Sequence, residues 1–210
     1  MRRWGVGDVR THWENLYARR SVSALSWYEP TADQSLAFVA EAGLAADAAI
    51  IDVGAGASVL VDQLLRAGYR DVTALDVAGD ALAVSRERLG TDADRVDWIV
   101  CDLLTWQPNR RFQLWHDRAV FHFLTDPADR DRYRQVLRRA LAPAGHVVVG
   151  AFAEDGPTRC SGLPTARYAI DELAAEFTDL RLVDAVRNEH HTPGGGVQPF
   201  NWVLLDYRGA

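Results

Sequence analysis

The stretch from residue 49 to residue 60 constrains the fold more than any other part of the chain. A strand-type run at positions 50–53 leads directly into two glycines at alternate positions, Gly54 and Gly56, and a helical pattern of apolar residues follows Ser58. Glycine has no Cβ and lets a ligand approach the backbone closely, and serine is a favourable helix cap. The order of strand, tight turn and helix predicts the opening unit of a doubly wound α/β sheet with a ligand at the turn.

A second strand-type run, residues 72–76, ends in Asp76, which follows Asp52 by 24 positions (76 − 52). That separation is about the length of one helix plus one strand. A carboxylate at the end of the second strand can accept hydrogen bonds from both hydroxyls of a ribose. The two strands together therefore predict a nucleoside-binding site.

The sequence of the turn separates two classes of nucleoside ligand. A dinucleotide fingerprint is Gly-x-Gly-x-x-Gly or Ala, because the last small residue allows the helix to pack closely on the strand. Here that position is Val59, which is branched and bulky. The pattern Asp-x-Gly-x-Gly-x-Ser, from Asp52 to Ser58, resembles the first motif of the class I S-adenosylmethionine-dependent methyltransferases. Ser58 stands where that family usually has a third glycine.

Alternating strand and helix patterns continue along the chain and predict a parallel sheet with helices on both faces. Two longer strand patterns, residues 180–189 and 198–207, flank a glycine-rich turn at 192–196 and predict an antiparallel pair. The predicted fold is therefore α/β, with a doubly wound, mostly parallel seven-stranded sheet and an antiparallel C-terminal hairpin, as in the methyltransferase family. The other predicted strands are 50–53, 72–76, 96–101, 112–117 and 146–152, and the predicted helices are 8–20, 31–42, one that ends at Gly68, 79–89, 126–141 and 168–177.

The length of 210 residues predicts one domain with a substantial core. We expect residues 1–45 to form an N-terminal helical lid and residues 46–153 to form the cofactor-binding core. Residues 154–210 would then supply a substrate-side loop and the closing hairpin.

Charge and hydropathy argue against several kinds of partner. The formal net charge of −6 disfavours a nucleic acid, which needs a basic face. No apolar run approaches the roughly 20 residues of a membrane span, and the N-terminus lacks the apolar core of a signal peptide. We therefore predict a cytoplasmic protein without a membrane partner. Cys101 and Cys160 show neither a metal-ligand spacing nor a disulfide pattern, so no metal site is predicted.

Four predicted strands carry an acid at or directly after their carboxyl ends, where ligands bind in sheets of this kind. A sulfonium cation is electrostatically compatible with several carboxylates, whereas a pyrophosphate would be repelled by them. The acids therefore favour S-adenosylmethionine over a dinucleotide. They are Asp52, Asp76, Asp102 and Asp117.

The resemblance to the methyltransferases implies a role for each part of the site. Asp76 would hold the ribose hydroxyls, Asp102 and Leu103 would hold the adenine, and the glycine turn would lie along the methionine. Asp117 would lie close to the departing methyl, with a catalytic role. The implied cofactor-binding residues are Asp52, Gly54, Ala55, Gly56, Ser58, Asp76, Val77, Asp102, Leu103 and Asp117.

His122, shortly after the fourth strand of the core, is the first candidate for a base or a group that orients the acceptor. The family often has a histidine or an aromatic residue there, and a pKa near neutrality would let His122 accept a proton. The alternative is a buried histidine that packs among Phe121, Phe123 and Leu124, and the sequence leaves both open. His116 would point to the side of the strand opposite Asp117 and ranks lower.

Other candidate acceptor-site residues lie in three polar or aromatic segments. Trp27 and Tyr28 would form a lid or pack on the sheet edge, and Cys160 is expected to pack in a loop rather than to act as a nucleophile. The pair His190 and His191 has no third metal ligand, so solvent exposure is predicted for both. The full set of predicted substrate residues is Trp27, Tyr28, His122, Cys160, Ser161 and His191.

The leading interpretation is a methyltransferase with S-adenosylmethionine as cofactor and an unidentified acceptor. A small molecule, including a thiol or a metalloid, is favoured over a protein side chain. The motifs Trp13-Glu14-x-x-Tyr17 and Ser26-Trp27-Tyr28-Glu29 resemble small stand-alone bacterial methyltransferases most, and the mitochondrial citrate synthase lysine methyltransferase more loosely.

Two alternatives remain. One is a non-catalytic S-adenosylmethionine-binding regulator. The other is an NAD-dependent oxidoreductase, against which Val59 and the complete absence of lysine argue. The sequence predicts no oligomeric state.

Overall fold

The computed structural model describes residues 6–207. Residues 1–5, from which we predict that a signal peptide is absent, lie outside this range. The strands are β1 Ala49–Val53, β2 Asp71–Asp76, β3 Val96–Val100, β4 Phe112–Arg118, β5 Leu141–Phe152, β6 Arg159–Cys160, β7 Leu163–Pro164, β8 Leu180–His191 and β9 Val197–Tyr207. The helices are α1 Val6–Arg19, α2 Asp33–Glu41, α3 Leu60–Arg66, α4 Gly79–Leu89, α5 Pro127–Ala140 and α6 Ile170–Ala175.

The predicted α/β fold is confirmed. Seven strands form one sheet in the order β3-β2-β1-β4-β5-β9-β8, and β6 and β7 form a separate two-stranded hairpin. The five strands from β3 to β5 are parallel, whereas β9 pairs antiparallel with both β5 and β8. The winding direction reverses between β1 and β4, and a crevice for ligands opens at such a point, beyond the carboxyl ends of the strands.

Two hydrophobic clusters cover the two faces of the sheet. On one face, Ile51 and Trp115 pack with residues of α5 and α6. On the other face, Ile50 and Leu114 pack with residues of α2 and α3. Alternate residues of β1 and β4 therefore enter different layers, so neighbouring polar residues on these strands face different surroundings.

Some element boundaries differ from the prediction. The turn predicted at positions 143–145 lies inside β5, because Phe112 pairs with Leu141 and Leu114 with His146, which leaves a bulge between the two pairs. Helix α3 begins at Leu60 with Val59 as its N-cap, so Ser58 is not the capping residue. The Ser58 hydroxyl instead accepts a hydrogen bond from the Leu60 N–H at 3.1 Å.

Within residues 6–207, no helix combines the length and the apolar character that crossing a membrane requires.

Candidate functional site

The turn after β1 depends on its two glycines. Gly54 and Gly56 have φ angles of 68° and 52°, in the left-handed region that glycine adopts without strain. Between them, the N–H of Ala55 donates to the carbonyl of Leu75 at 3.0 Å and ties the turn to β2. The backbone of the turn is therefore held at the carboxyl ends of two adjacent strands, as the sequence predicts.

Side chains from two other elements approach this turn closely. A Cβ built on Gly54 would lie 2.0 Å from Cγ2 of Val120, and a Cβ on Gly56 would lie 2.6 Å from the hydroxyl of Tyr17. Val120 follows β4, and Tyr17 belongs to α1. The turn is thus a place of close approach, covered by the N-terminal helix.

Asp76, at the end of β2, lies directly beside the glycine turn. Its Oδ2 accepts a hydrogen bond from the Gly56 N–H at 2.9 Å, and its Oδ1 accepts one from the Ala78 N–H at 2.8 Å. Burial raises the pKa of Asp76 to about 6, with a further increase from the charge of Asp52, against the lowering effect of the backbone hydrogen bonds. Each carboxylate oxygen has a second lone pair, so Asp76 can still accept hydrogen bonds from hydroxyl groups.

The next strand end adds the predicted adenine residues. The N–H of Cys101 donates to the carbonyl of Asp76 at 2.9 Å, which joins the end of β3 to the end of β2. Asp102 then caps the short 3-10 turn Leu103–Thr105, with Oδ1 accepting from the N–H of Leu104 at 2.9 Å. The structure thus brings Asp52, the glycine turn, Asp76 and Asp102 to one edge of the sheet.

Asp52 belongs to a buried polar chain that the sequence analysis did not anticipate. Its Oδ1 lies 2.7 Å from Nδ1 of His116, whose Nε2 lies 2.9 Å from the hydroxyl of Ser35 on α2. All three side chains are buried. Within residues 6–207, Oδ2 of Asp52 has no hydrogen-bond partner. The chain of contacts connects β1, β4 and α2.

We expect the substitution Ser35→Ala to lower the free energy of unfolding by about 1 kcal/mol, because Nε2 of His116 would lose its hydrogen-bond partner in a buried position. Chemical denaturation would measure the change. The control is Ser23→Ala, which removes an exposed hydroxyl that contacts only Ser21 among the hydrogen bonds of the described residues. Equal unfolding midpoints for the two variants would contradict a contribution from this chain.

Asp117 lies at the end of β4, as predicted, and its carboxylate binds protein groups. Its side chain is fully buried. Oδ2 accepts from the hydroxyl of Tyr133 at 2.7 Å, and Oδ1 accepts from the N–H of Val120 at 2.9 Å and of Phe121 at 3.4 Å. Burial raises the pKa of Asp117 to about 6. Since both oxygens bind protein donors, Asp117 holds the segment after β4 against α5, and its predicted place near the departing methyl stays a prediction.

His122 is buried, and its predicted titration near neutrality is wrong. Its ring stacks on Phe152 with a centroid distance of 4.2 Å and meets the edge of Phe123 at 4.5 Å. Burial, together with the positive charge of Arg118, lowers the pKa of His122 to about 3. Neither ring nitrogen has a hydrogen-bond partner among residues 6–207. His122 is therefore a neutral imidazole with one donor and one acceptor unused.

The segment predicted to form a lid contains an aromatic cluster, which lies beside the turn. The ring of Trp13 lies 5.6 Å from that of Trp27 and 5.3 Å from that of Phe123, and Tyr17 lies 6.2 Å from Trp27. Burial and the charge of Asp76 raise the pKa of Tyr17 above its usual range.

Tyr17, which lies beside the glycine turn, is not among the site residues that the sequence predicts. The signal in the sequence was the spacing of Trp13 and Tyr17, four positions apart on one helix, which places both on one face.

The hairpin β6–β7 contains Cys160 and Ser161. Cys160 is buried and packs with Phe152 and Phe200. Burial raises the pKa of the Cys160 thiol, so the side chain is a neutral packing group, in agreement with the role expected from the sequence. Its Sγ lies 3.9 Å from Oγ of Ser161.

The two histidines at the end of β8 differ. His191 is exposed, whereas His190 is buried, so the exposure predicted for His190 is wrong. Nε2 of His190 lies 2.7 Å from the carbonyl oxygen of Ser26. Because a carbonyl only accepts, Nε2 carries the proton and donates it. His190 thus contacts the segment that contains Trp27 and Tyr28. The side chains of Trp27 and Tyr28 are themselves partly buried.

Comparison with known proteins indicates a methyltransferase domain. A family described as "Methyltransferase domain" matches residues 50–145, which run from β1 into β5. Nodulation protein S of Rhizobium tropici is 28% identical over 142 residues, covering 66% of this chain and 59% of that protein. Nodulation protein S of Sinorhizobium fredii is 30% identical over 143 residues, covering 66% and 65%. The chain thus matches about three fifths of the length of these relatives.

Three solved structures share the fold over most of the chain. The N-methyltransferase NodS from Bradyrhizobium japonicum, in complex with S-adenosylhomocysteine, has a TM-score of 0.66 and 17% identity, covering 84% of this chain and 85% of its own. The 1,6-didemethyltoxoflavin N1-methyltransferase of Burkholderia thailandensis, with S-adenosylhomocysteine bound, has a TM-score of 0.67 and 20% identity, covering 95% and 84%.

The third structure concerns the conversion of a disulfide into a thioacetal during echinomycin biosynthesis. It has a TM-score of 0.70 and 19% identity, and it covers 94% of this chain and 92% of its own. At such identities these likenesses bear on the fold, while the motif and the family match bear on the ligand. Residues 50–145 thus match a methyltransferase domain, and the chain is similar to S-adenosylmethionine-dependent methyltransferases, which supports S-adenosylmethionine as its cofactor.

Proposed function

We propose that this chain transfers a methyl group from S-adenosylmethionine to a nitrogen atom of a small molecule. The observation that carries the proposal is the position of Asp76, whose carboxylate receives the Gly56 N–H of the glycine turn at 2.9 Å. This contact joins the proposed ribose-binding acid at the end of β2 to the turn after β1, and β1 is one of the two strands between which the winding of the sheet reverses. The names of two similar proteins, both N-methyltransferases, support nitrogen as the acceptor atom.

The residues present fit the cofactor chemically. Asp76 would hold the ribose hydroxyls with its remaining lone pairs, and Asp102 would accept from the adenine amino group. The free Oδ2 of Asp52 is a buried acceptor near Asp76 and suits a cationic group. The bound cofactor supplies a methyl group on a positively charged sulfur, and the carboxylates favour that charge.

The aromatic lid would keep water away from the reacting atoms. Trp13, Tyr17 and Trp27 pack against one another above the glycine turn. Alignment of two reactants in a site that excludes water can reach effective concentrations of about 10⁵ M or more. We expect positioning of this kind to supply most of the rate enhancement.

His122 would orient the acceptor rather than remove its proton. With a pKa of about 3 the imidazole is neutral at neutral pH and is a weak base. It can accept one hydrogen bond from an N–H of the acceptor and donate another. A nitrogen acceptor that presents its lone pair as a neutral amine or heterocycle needs no stronger base, which agrees with this site.

We expect S-adenosylhomocysteine to bind and NAD not to bind in titration calorimetry, because the acids at the strand ends repel a pyrophosphate. The protein would then be incubated with methyl-labelled S-adenosylmethionine and three sets of acceptors: small amines and N-heterocycles, small thiols, and peptides. We expect label on the amines and N-heterocycles and none on the peptides. Absence of S-adenosylhomocysteine binding would refute the cofactor assignment.

The other outcomes separate the alternatives. Label on small thiols alone would replace nitrogen by sulfur, and label on peptides alone would contradict a small-molecule acceptor. Cofactor binding without transfer to any set would indicate a regulator.

A further inference from the structure

The lid loop, residues 26–29, is held by a side chain from the end of β4. Nη1 of Arg118 donates to the carbonyl of Trp27 at 3.0 Å, and Nη2 lies 2.8 Å from Oε1 of Glu29. The side chains of Arg118 and Glu29 are 14% and 23% exposed. An ion pair buried to this degree is screened less by water and salt than a surface pair.

A second side chain holds the same loop from β8. Nε2 of His190 donates to the carbonyl of Ser26 at 2.7 Å, and Nδ1 lies 3.5 Å from the same Oε1 of Glu29. The Glu29 carboxylate therefore lies between the guanidinium of Arg118 and the imidazole of His190. Each of these two side chains also binds a backbone carbonyl of the lid loop.

Phe200 on β9 contacts the side chains of both Arg118 and His190. The guanidinium of Arg118 lies over its ring at 5.3 Å, and the ring of His190 meets it edge-on at 6.4 Å. A cation over an aromatic ring is attracted by the negative face of that ring. Arg118 and His190 are thus oriented by the sheet, independently of the lid loop.

The contacts continue from the lid loop to the glycine turn. The ring of Trp27 meets the rings of Trp13 and Tyr17 edge-on, at 5.6 Å and 6.2 Å, and the Tyr17 hydroxyl lies over Gly56. When the lid loop is fixed, Tyr17 is fixed over the turn where the cofactor is expected. A cofactor bound at this turn would then be exchanged only when the loop leaves its contacts with β4 and β8.

We propose that Glu29, Arg118 and His190 form a clasp that holds the lid loop closed and so sets the rate at which the cofactor is exchanged. Glu29 and His190 are then positioning residues, which act through Trp27 and Tyr17 without touching the cofactor. The inference rests on the proposed function, since it assigns the closed lid to a cofactor site.

The test compares the same substitution at two glutamates. Glu29→Gln keeps the size of the side chain and removes its charge, and Glu189→Gln does the same at an exposed position beside His190. The rate of release of S-adenosylhomocysteine would be measured by stopped flow with tryptophan fluorescence as the signal. Calorimetry would give its dissociation constant. We expect release to be about tenfold faster in Glu29→Gln and in His190→Ala, and unchanged in Glu189→Gln.

Two further measurements separate a clasp from a general structural effect. His190→Gln keeps an N–H donor for the Ser26 carbonyl, so it should recover part of the slow release that His190→Ala loses. The unfolding midpoint of Glu29→Gln should stay close to that of the wild type while release accelerates. If His190→Ala does not fold, Glu29→Gln alone decides.

The two possible failures have different signatures. If wild-type protein bound no S-adenosylhomocysteine, the proposed function would be wrong, and the clasp with it. If the wild type bound it and both Glu29→Gln and His190→Ala released it at the wild-type rate, the clasp alone would be wrong.

Discussion

The substitution Asp76→Ala is expected to weaken binding of S-adenosylhomocysteine by at least about 100-fold. Two hydrogen bonds from ribose hydroxyls to a carboxylate contribute about 1.5–3 kcal/mol each, and about 3 kcal/mol corresponds to a factor of more than 100 in the dissociation constant. Asp76 also receives the N–H groups of Gly56 and Ala78, so its loss loosens the glycine turn as well. Titration calorimetry at neutral pH measures the change.

The control is Asp97→Ala, on the neighbouring strand β3, where the carboxylate is 69% exposed. It removes the same charge without touching the turn, and it should bind S-adenosylhomocysteine like the wild type. Asp76→Asn keeps one acceptor oxygen and should give an intermediate affinity. A folded Asp76→Ala protein with the wild-type dissociation constant would contradict ribose binding at the end of β2.

The fold could be predicted because its signals are local. The glycines of the first turn need positive φ angles, and the alternation of strand and helix patterns allows few topologies. The clustering of the acids could be predicted for a similar reason, because the carboxyl ends of parallel strands meet at one edge of the sheet. Asp52, Asp76 and Asp102 are accordingly found together, whereas the ends of β5 and α3 and the presence of the hairpin β6–β7 differ from prediction.

The surroundings of individual side chains could not be predicted in the same way. His190 and His191 are adjacent in the sequence, and which of them is buried depends on Ser26, 164 positions away. The pair of Asp52 and His116 requires β1 to lie beside β4 with these two residues in register. Such contacts follow from tertiary packing, which the pattern of a single strand does not encode.

The wrong prediction for His122 has a different cause. Its residue type gave a pKa near neutrality, but desolvation among aromatic rings overrides the residue type because it disfavours the charged form. The sequence does show Phe121 and Phe123 beside His122, and the alternative of a packed histidine followed from them. The stacking partner, Phe152, lies on another strand.

The consequence of this burial is that His122 makes the folded protein sensitive to acid. Its pKa is lowered from 6.5 to about 3 in the folded state. Between these values the unfolded state binds more protons, so stability is present above about pH 6.5 and is lost as the pH falls, by up to about 1.4 kcal/mol per pH unit. The substitution His122→Phe keeps an aromatic ring stacked on Phe152 and removes the group that binds this proton.

We therefore expect His122→Phe to gain stability relative to the wild type on acidification, by about 3 kcal/mol between pH 6.5 and pH 4. Asp76 and Asp117, whose pKa values are raised to about 6, act in the opposite direction, but both are present in the two proteins and cancel in the difference. Urea denaturation at several pH values measures it, with His191→Phe as the exposed control. A difference that does not change with pH would mean that folded His122 binds a proton like an exposed histidine, and a role as general base at neutral pH would then be restored.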